Sequence, residues 1–74
     1  MKHFVLDHSG HSVVEYDEAD PVMLEVANQK FLELVGDQKK VAATRKAGET
    51  EYKVIKDPSQ QQDETLFATP YQGG

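Results

Sequence analysis

The stretch Asp17-Glu18-Ala19-Asp20-Pro21-Val22-Met23-Leu24-Glu25-Val26-Ala27-Asn28-Gln29-Lys30-Phe31-Leu32-Glu33-Leu34-Val35-Gly36 decides the architecture. Asp20 has the residue type of an N-cap, and Pro21 suits the first helical position, where a missing N–H costs nothing. The acidic residues ahead of it lie at the positive end of the helix dipole. Met23, Leu24, Ala27, Phe31, Leu34 and Val35 recur at helical spacing, while Glu25, Gln29 and Glu33 fall opposite. Gly36 marks the expected stop. The spacing predicts one amphipathic helix of about four turns, with Val22, Val26 and Leu32 off its buried stripe.

Outward from the helix, the patterns have period two. On the N-terminal side, His3 to Leu6 and Ser12 to Asp17 are short runs rich in Val, Phe and Tyr, joined through Asp7-His8-Ser9-Gly10-His11. They predict a hairpin with Phe4, Leu6, Val14 and Tyr16 inward and His3, Val5, Asp7, His11, Val13 and Glu15 outward. A shift of one residue would bury Val5 and Val13 instead. On the C-terminal side, Lys40 to Lys46 and Glu51 to Lys56 predict a second hairpin around Ala47-Gly48-Glu49-Thr50, with Val41, Ala43, Val54 and Tyr52 inward. Residues 57–64 are polar, aperiodic and contain Pro58, as a surface loop does. Thr65 to Thr69 reads as a final strand stopped by Pro70, which lacks an amide donor. Tyr71-Gln72-Gly73-Gly74 follows.

The order strand, strand, helix, strand, strand, loop, strand predicts a two-layer α+β domain, with one helix packed on a mixed five-stranded sheet. The long return through the helix lets the last strand lie parallel to the first. A chain of 74 residues is one small domain that buries only about 60% of its unfolded surface, leaving little room for an internal active site. The boundaries expected are a folded domain over 1–69 and a tail over 70–74.

Composition narrows the function. The chain has no cysteine, so any thiol in its chemistry belongs to a partner. Its net charge of −5 opposes nucleic acid and anionic membrane, which are bound through cationic contacts. No apolar run has the length of a signal peptide or of a membrane span. A soluble, cytoplasmic monomer is expected.

Several side-chain groupings suggest sites. His3, Asp7 and His11 share a face in the register above and, with His8, could ligate zinc or nickel; solvated polar residues on a turn are the commoner outcome of such a grouping. Ser9 and Ser12 beside these histidines have the residue types of a nucleophile and base, but a shallow hairpin offers no oxyanion hole. Lys39-Lys40 with Arg45-Lys46 forms a modest basic cluster, of the kind that usually covers a solvated sheet edge.

The order of elements and several local residues resemble ubiquitin and the wider ubiquitin-like β-grasp family. Met1-Lys2-His3-Phe4-Val5, the turn residue Gly10, the acidic link into a single helix, and Glu64-Thr65-Leu66 leading to Gly73-Gly74 follow the ubiquitin pattern in order and nearly in spacing. The resemblance covers the whole chain and is similar to that of bacterial ubiquitin-like proteins. It implies a β-grasp fold of order ββαβββ and a protein modifier that is not itself an enzyme. An E1-like enzyme would use ATP and Mg²⁺ to adenylate the carboxylate of Gly74. The acyl group would then pass to an E2-like transfer enzyme and on to an amine of a target protein, and a deubiquitinase-like protease could reverse the bond. No cofactor would be bound by the chain itself. Gly73 and Gly74, without Cβ atoms, suit passage through a narrow enzyme channel and leave the carbonyl open to attack. Tyr71 and Gln72 stand where ubiquitin has leucine and arginine, so tail recognition by the activating enzyme would differ. Ubiquitin's aliphatic patch aligns near Val41, Ala42 and Ala43, which are small. Two other readings share the pattern: a sulfur carrier with a C-terminal thiocarboxylate, and a β-grasp interaction module, structural or phage-related, in which the glycines do no chemistry.

Overall fold

The structure, a computed structural model, describes residues 1–7 and 10–70. The elements in chain order are β1 (Lys2–Asp7), β2 (Gly10–Glu15), α1 (Pro21–Leu32), β3 (Val41–Arg45), β4 (Lys53–Ile55) and β5 (Glu64–Ala68). A π-helical turn (Glu33–Asp37) extends α1, and a 3₁₀ turn (Pro58–Gln60) precedes β5. The strands form one sheet in the order β2-β1-β5-β3-β4, antiparallel except for β1 and β5, which run parallel. One helix on a five-stranded mixed sheet is the α+β arrangement that the alternating patterns predict.

Asp20 caps α1 as expected. Its carboxylate accepts from the N–H of Val22 at 2.9 Å and of Met23 at 3.4 Å, an arrangement worth about 1 kcal/mol. The other end differs from expectation, because Gly36 does not stop the helix. The backbone widens into the π turn, with the Gln38 N–H donating to Glu33 O at 3.2 Å, and Lys39 makes the reversal at a φ of 54°. The amide of Lys40 then donates to Leu34 O at 2.9 Å, so the carbonyls at the end of the helix find donors without a glycine.

The core lies between α1 and one face of the sheet. Ala27, Phe31 and Leu34 come from the helical segment, and Tyr16, Ala42, Ile55 and Phe67 from the sheet side, with Val5 and Val35 packed at the margin. Phe31 and Phe67 meet edge to face at 5.5 Å, and complete burial of such a ring contributes about 1.5–3 kcal/mol.

Three strands show the opposite face from the one their patterns suggest. In β1, His3 and Val5 face the helix, while Phe4 and Leu6 point away; Val14 and Tyr16 lie on the helix side as expected, though Val14 at the edge remains 41% exposed. In β3 and β4, Ala42, Thr44 and Ile55 are buried, whereas Val41 and Val54 are 40% and 62% exposed. The reason is that the outer face is itself apolar. Val13, Phe4, Leu66, Ala43 and Val54 stand opposite one another in a row that crosses all five strands. Alternation cannot select a face when both faces carry apolar side chains. The choice falls to β5, where Phe67 meets Phe31 and aligns with Val5 and Ala42.

Candidate functional site

Gly73, Gly74, Tyr71 and Gln72, the residues expected to carry conjugation and tail recognition, lie outside the described residues, as do His8 and Ser9. The described structure reaches Pro70 and shows what anchors the strand that leads to them. β5 lies between β1 and β3, flanked on both sides by hydrogen-bonded strands. At its end Thr69 meets Lys40, whose ammonium donates at 3.1 Å to the Thr69 hydroxyl and at 3.1 Å to the carbonyl of Leu6. Lys40 is only 6% exposed. It ties the entry to β3, the end of β1 and the exit from β5 to one point. Beside it, Leu6, Asp7, Ala68 and Thr69 line a shallow cleft of about 300 Å³.

Lys40 is thereby removed from the basic cluster that the sequence suggests. Arg45 is removed as well: its Nε donates to Glu64 at 2.6 Å, its Nη1 to Glu49 O at 3.1 Å, and its guanidinium lies 4.6 Å over the ring of Tyr52. The bond to Glu64 raises the Arg45 pKa further. Both cations are held by partners within the chain.

The grouping of His3, Asp7 and His11 is dissolved by the register. His3 and Asp7 lie on the helix-facing side of β1, whereas His11 stands opposite Leu6 on the outer face. Among the described residues no group of three or more His, Cys, Asp or Glu side chains comes together as a metal site. Ser12 is exposed in open strand.

His3 instead occupies the interior, at 1% exposure. Its ring packs edge to face on Tyr16 at 4.9 Å and on Phe67 at 4.8 Å. Its Nε2 lies 2.5 Å from Gln61 Oε1, and the Gln61 amide nitrogen donates to Asn28 Oδ1 at 3.3 Å and Pro58 O at 3.1 Å. Because the amide nitrogen is turned toward those oxygens, Oε1 accepts and Nε2 carries the proton. Nδ1 is then a bare acceptor, buried with no hydrogen-bond partner among the described residues. Burial lowers the His3 pKa from its ordinary 6.5; the Gln61 bond opposes that shift and the charge of the Met1 amine adds to it. The chain from His3 through Gln61 to Asn28 links β1, the 3₁₀ turn and α1. Nothing in the polar run 57–64 marked Gln61 as an anchor. The signal available was the capping pair Asp57 and Gln60, which fixes the turn: Asp57 accepts from the Ser59 N–H at 2.9 Å, and Gln60 Oε1 accepts from the Asp57 N–H at 3.2 Å.

Compared with models of protein families, with curated proteins and with solved structures, the chain has no match. Among the described residues no helix is long and apolar enough to cross a membrane.

Proposed function

We propose that the chain is a ubiquitin-like β-grasp protein of order ββαβββ, in which residues 1–69 are the recognised domain and residues 70–74 present a reactive terminus. In this reading an E1-like enzyme adenylates the Gly74 carboxylate with ATP and Mg²⁺ in the bacterial cytoplasm, and an E2-like enzyme carries the acyl group to an amine of a target protein. Gly73 fits the narrow channel, and Tyr71 and Gln72 are read by the activating enzyme. The chain holds no catalytic group of its own. Every acid, base and nucleophile sits on the partners, because an acyl adenylate already has a good leaving group.

The observation that carries the proposal is the position of β5. The segment that ends at Ala68 is pinned between β1 and β3 and clamped at its exit by Lys40, so a tail rooted there leaves from the rigid middle of the sheet. A reactive end benefits from a fixed root, since an enzyme that recognises the domain then meets the tail at a constant distance.

The test is intact-mass analysis of the chain after incubation with ATP, Mg²⁺ and an E1-like adenylating enzyme. An adduct joining Gly74 to a protein amine, abolished by deletion of Gly73-Gly74 without change in the circular dichroism spectrum, supports the modifier. Sulfur in place of a carboxylate oxygen would assign the chain to sulfur carriage instead. Conjugates that survive the deletion would refute the proposal.

A further inference from the structure

The two edges of the sheet are built differently. β4 is three residues long and is followed by Lys56 and Pro58, features that keep an edge from pairing. β2 has six residues, all exposed, with no proline and no lysine, and its register with β1 runs without a bulge from Gly10 to Glu15. Val13 and Val14 stand 55% and 41% exposed on its two faces.

The phase of the ladder identifies which backbone groups of β2 are open. Tyr16 N–H donates to Met1 O at 2.7 Å and the Met1 amine donates to Tyr16 O at 3.1 Å, so this facing pair is hydrogen-bonded. Lys2 next to it turns to the other side and donates to Asp63 O at 2.8 Å. Antiparallel pairs alternate, so Val14, Ser12 and Gly10 point their groups toward β1. His11, Val13 and Glu15 point theirs to the free edge. These three positions are symmetric about Val13.

We infer that β2 pairs with β2 of a second copy, antiparallel and centred on Val13, to form a two-fold dimer with a continuous ten-stranded sheet. Only this register aligns all three outward-pointing residues with outward-pointing partners: His11 with Glu15 of the other copy, Val13 with Val13, and Glu15 with His11. A shift of two residues in either direction leaves one of the three without a partner of the same phase. The side chains agree with the register. An imidazole faces a carboxylate at both ends, Val13 meets Val13 on the axis, and Ser12 meets Val14 on the helix side. The apolar row from Val54 through Ala43, Leu66 and Phe4 to Val13 then runs unbroken into its copy. Two chains of net charge −5 repel each other, so association tightens as salt rises.

The experiment is sedimentation equilibrium of the full chain, loaded up to about 1 mM, the weak end of the affinity scale. The mass moves from 8.3 kDa toward twice that value as concentration rises. Val13→Pro removes an outward N–H and leaves the bonds to β1 in place; it weakens association by about tenfold or more. Val13→Lys, which sets two ammonium groups face to face on the axis, does the same if the proline variant fails to fold. In a mixture of isotope-labelled and unlabelled chains, cross-copy contacts appear at Val13 and between His11 and Glu15. A mass that stays at 8.3 kDa throughout overturns the inference, as does a dimer that survives both substitutions or an edge that captures an extended peptide but never its own copy.

Discussion

Acidification tests the interior around His3. The imidazole carries one proton on Nε2, given to Gln61, and its Nδ1 faces a buried apolar setting formed by Tyr16 and Phe67. A second proton would create an N–H with no acceptor, and a buried charge with no counter-ion, among the described residues. The folded pKa therefore lies below 6.5, and the unfolded chain takes the proton first. Stability is then fully present above about pH 6.5 and falls as pH drops through the interval down to the folded pKa, below which the curve levels. Within that interval one proton separates the two states, so the slope approaches about 1.4 kcal/mol per pH unit. A domain of this size holds roughly 4–11 kcal/mol in total, so each unit removes a large share. The assay is urea denaturation at closely spaced pH values between about 5 and 7.5, above the range where carboxylates titrate. His3→Phe, which keeps a ring against Tyr16 and Phe67 but cannot titrate, flattens the slope. If the native chain and His3→Phe lose stability in parallel over that range, or if the native chain gains stability on acidification, the assignment of His3 as a buried neutral donor is wrong.

The assignment of sheet faces is checked by a pair of truncations. Phe67→Ala removes a fully buried ring and costs about 3–5 kcal/mol, whereas Phe4→Ala, on the outer face, costs well under half of that by the same urea measurement; equal costs would contradict the register. Lys40→Met keeps the length of the side chain but leaves Leu6 O and the Thr69 hydroxyl without their donor. It lowers stability by about 1–3 kcal/mol and speeds amide hydrogen exchange at Thr69 more than at Val41, and unchanged exchange at Thr69 would remove Lys40 from its role at the exit.

The helix was legible because Asp20-Pro21 and the 3.6-residue period agree with each other. The strands were legible as strands, and the parallel return of β5 followed from the connections alone. Their faces were not. Phe4, Leu6, Val41 and Val54 are more hydrophobic than His3, Ala42 and Thr44, yet the latter are buried, because small and hydrogen-bonded side chains leave room for Phe31 and Phe67. Thr44 succeeds inside by donating to Glu64 O at 2.8 Å, and His3 by its bond to Gln61, partners that lie 20 and 58 residues away in the chain. No local pattern contains such a partner. Lys40 misled in the same way: as a letter it belongs to a basic run, and only the fold shows the two oxygens that enclose it. The open edge of β2 is equally invisible in the sequence, from which a monomer is expected.

The placement of β5 also sets an order for folding during synthesis. The hairpin of β1 and β2 and the hairpin of β3 and β4 are each local, but they do not touch as neighbours in the sheet; the strand that joins them is the last of the five to be made. Until residues 64–68 leave the ribosome, β1 and β3 each expose a bare edge and the helix has no Phe67 to pack on. The domain therefore closes late, and a chain that stops before Phe67 lacks the strand that joins its two half-sheets.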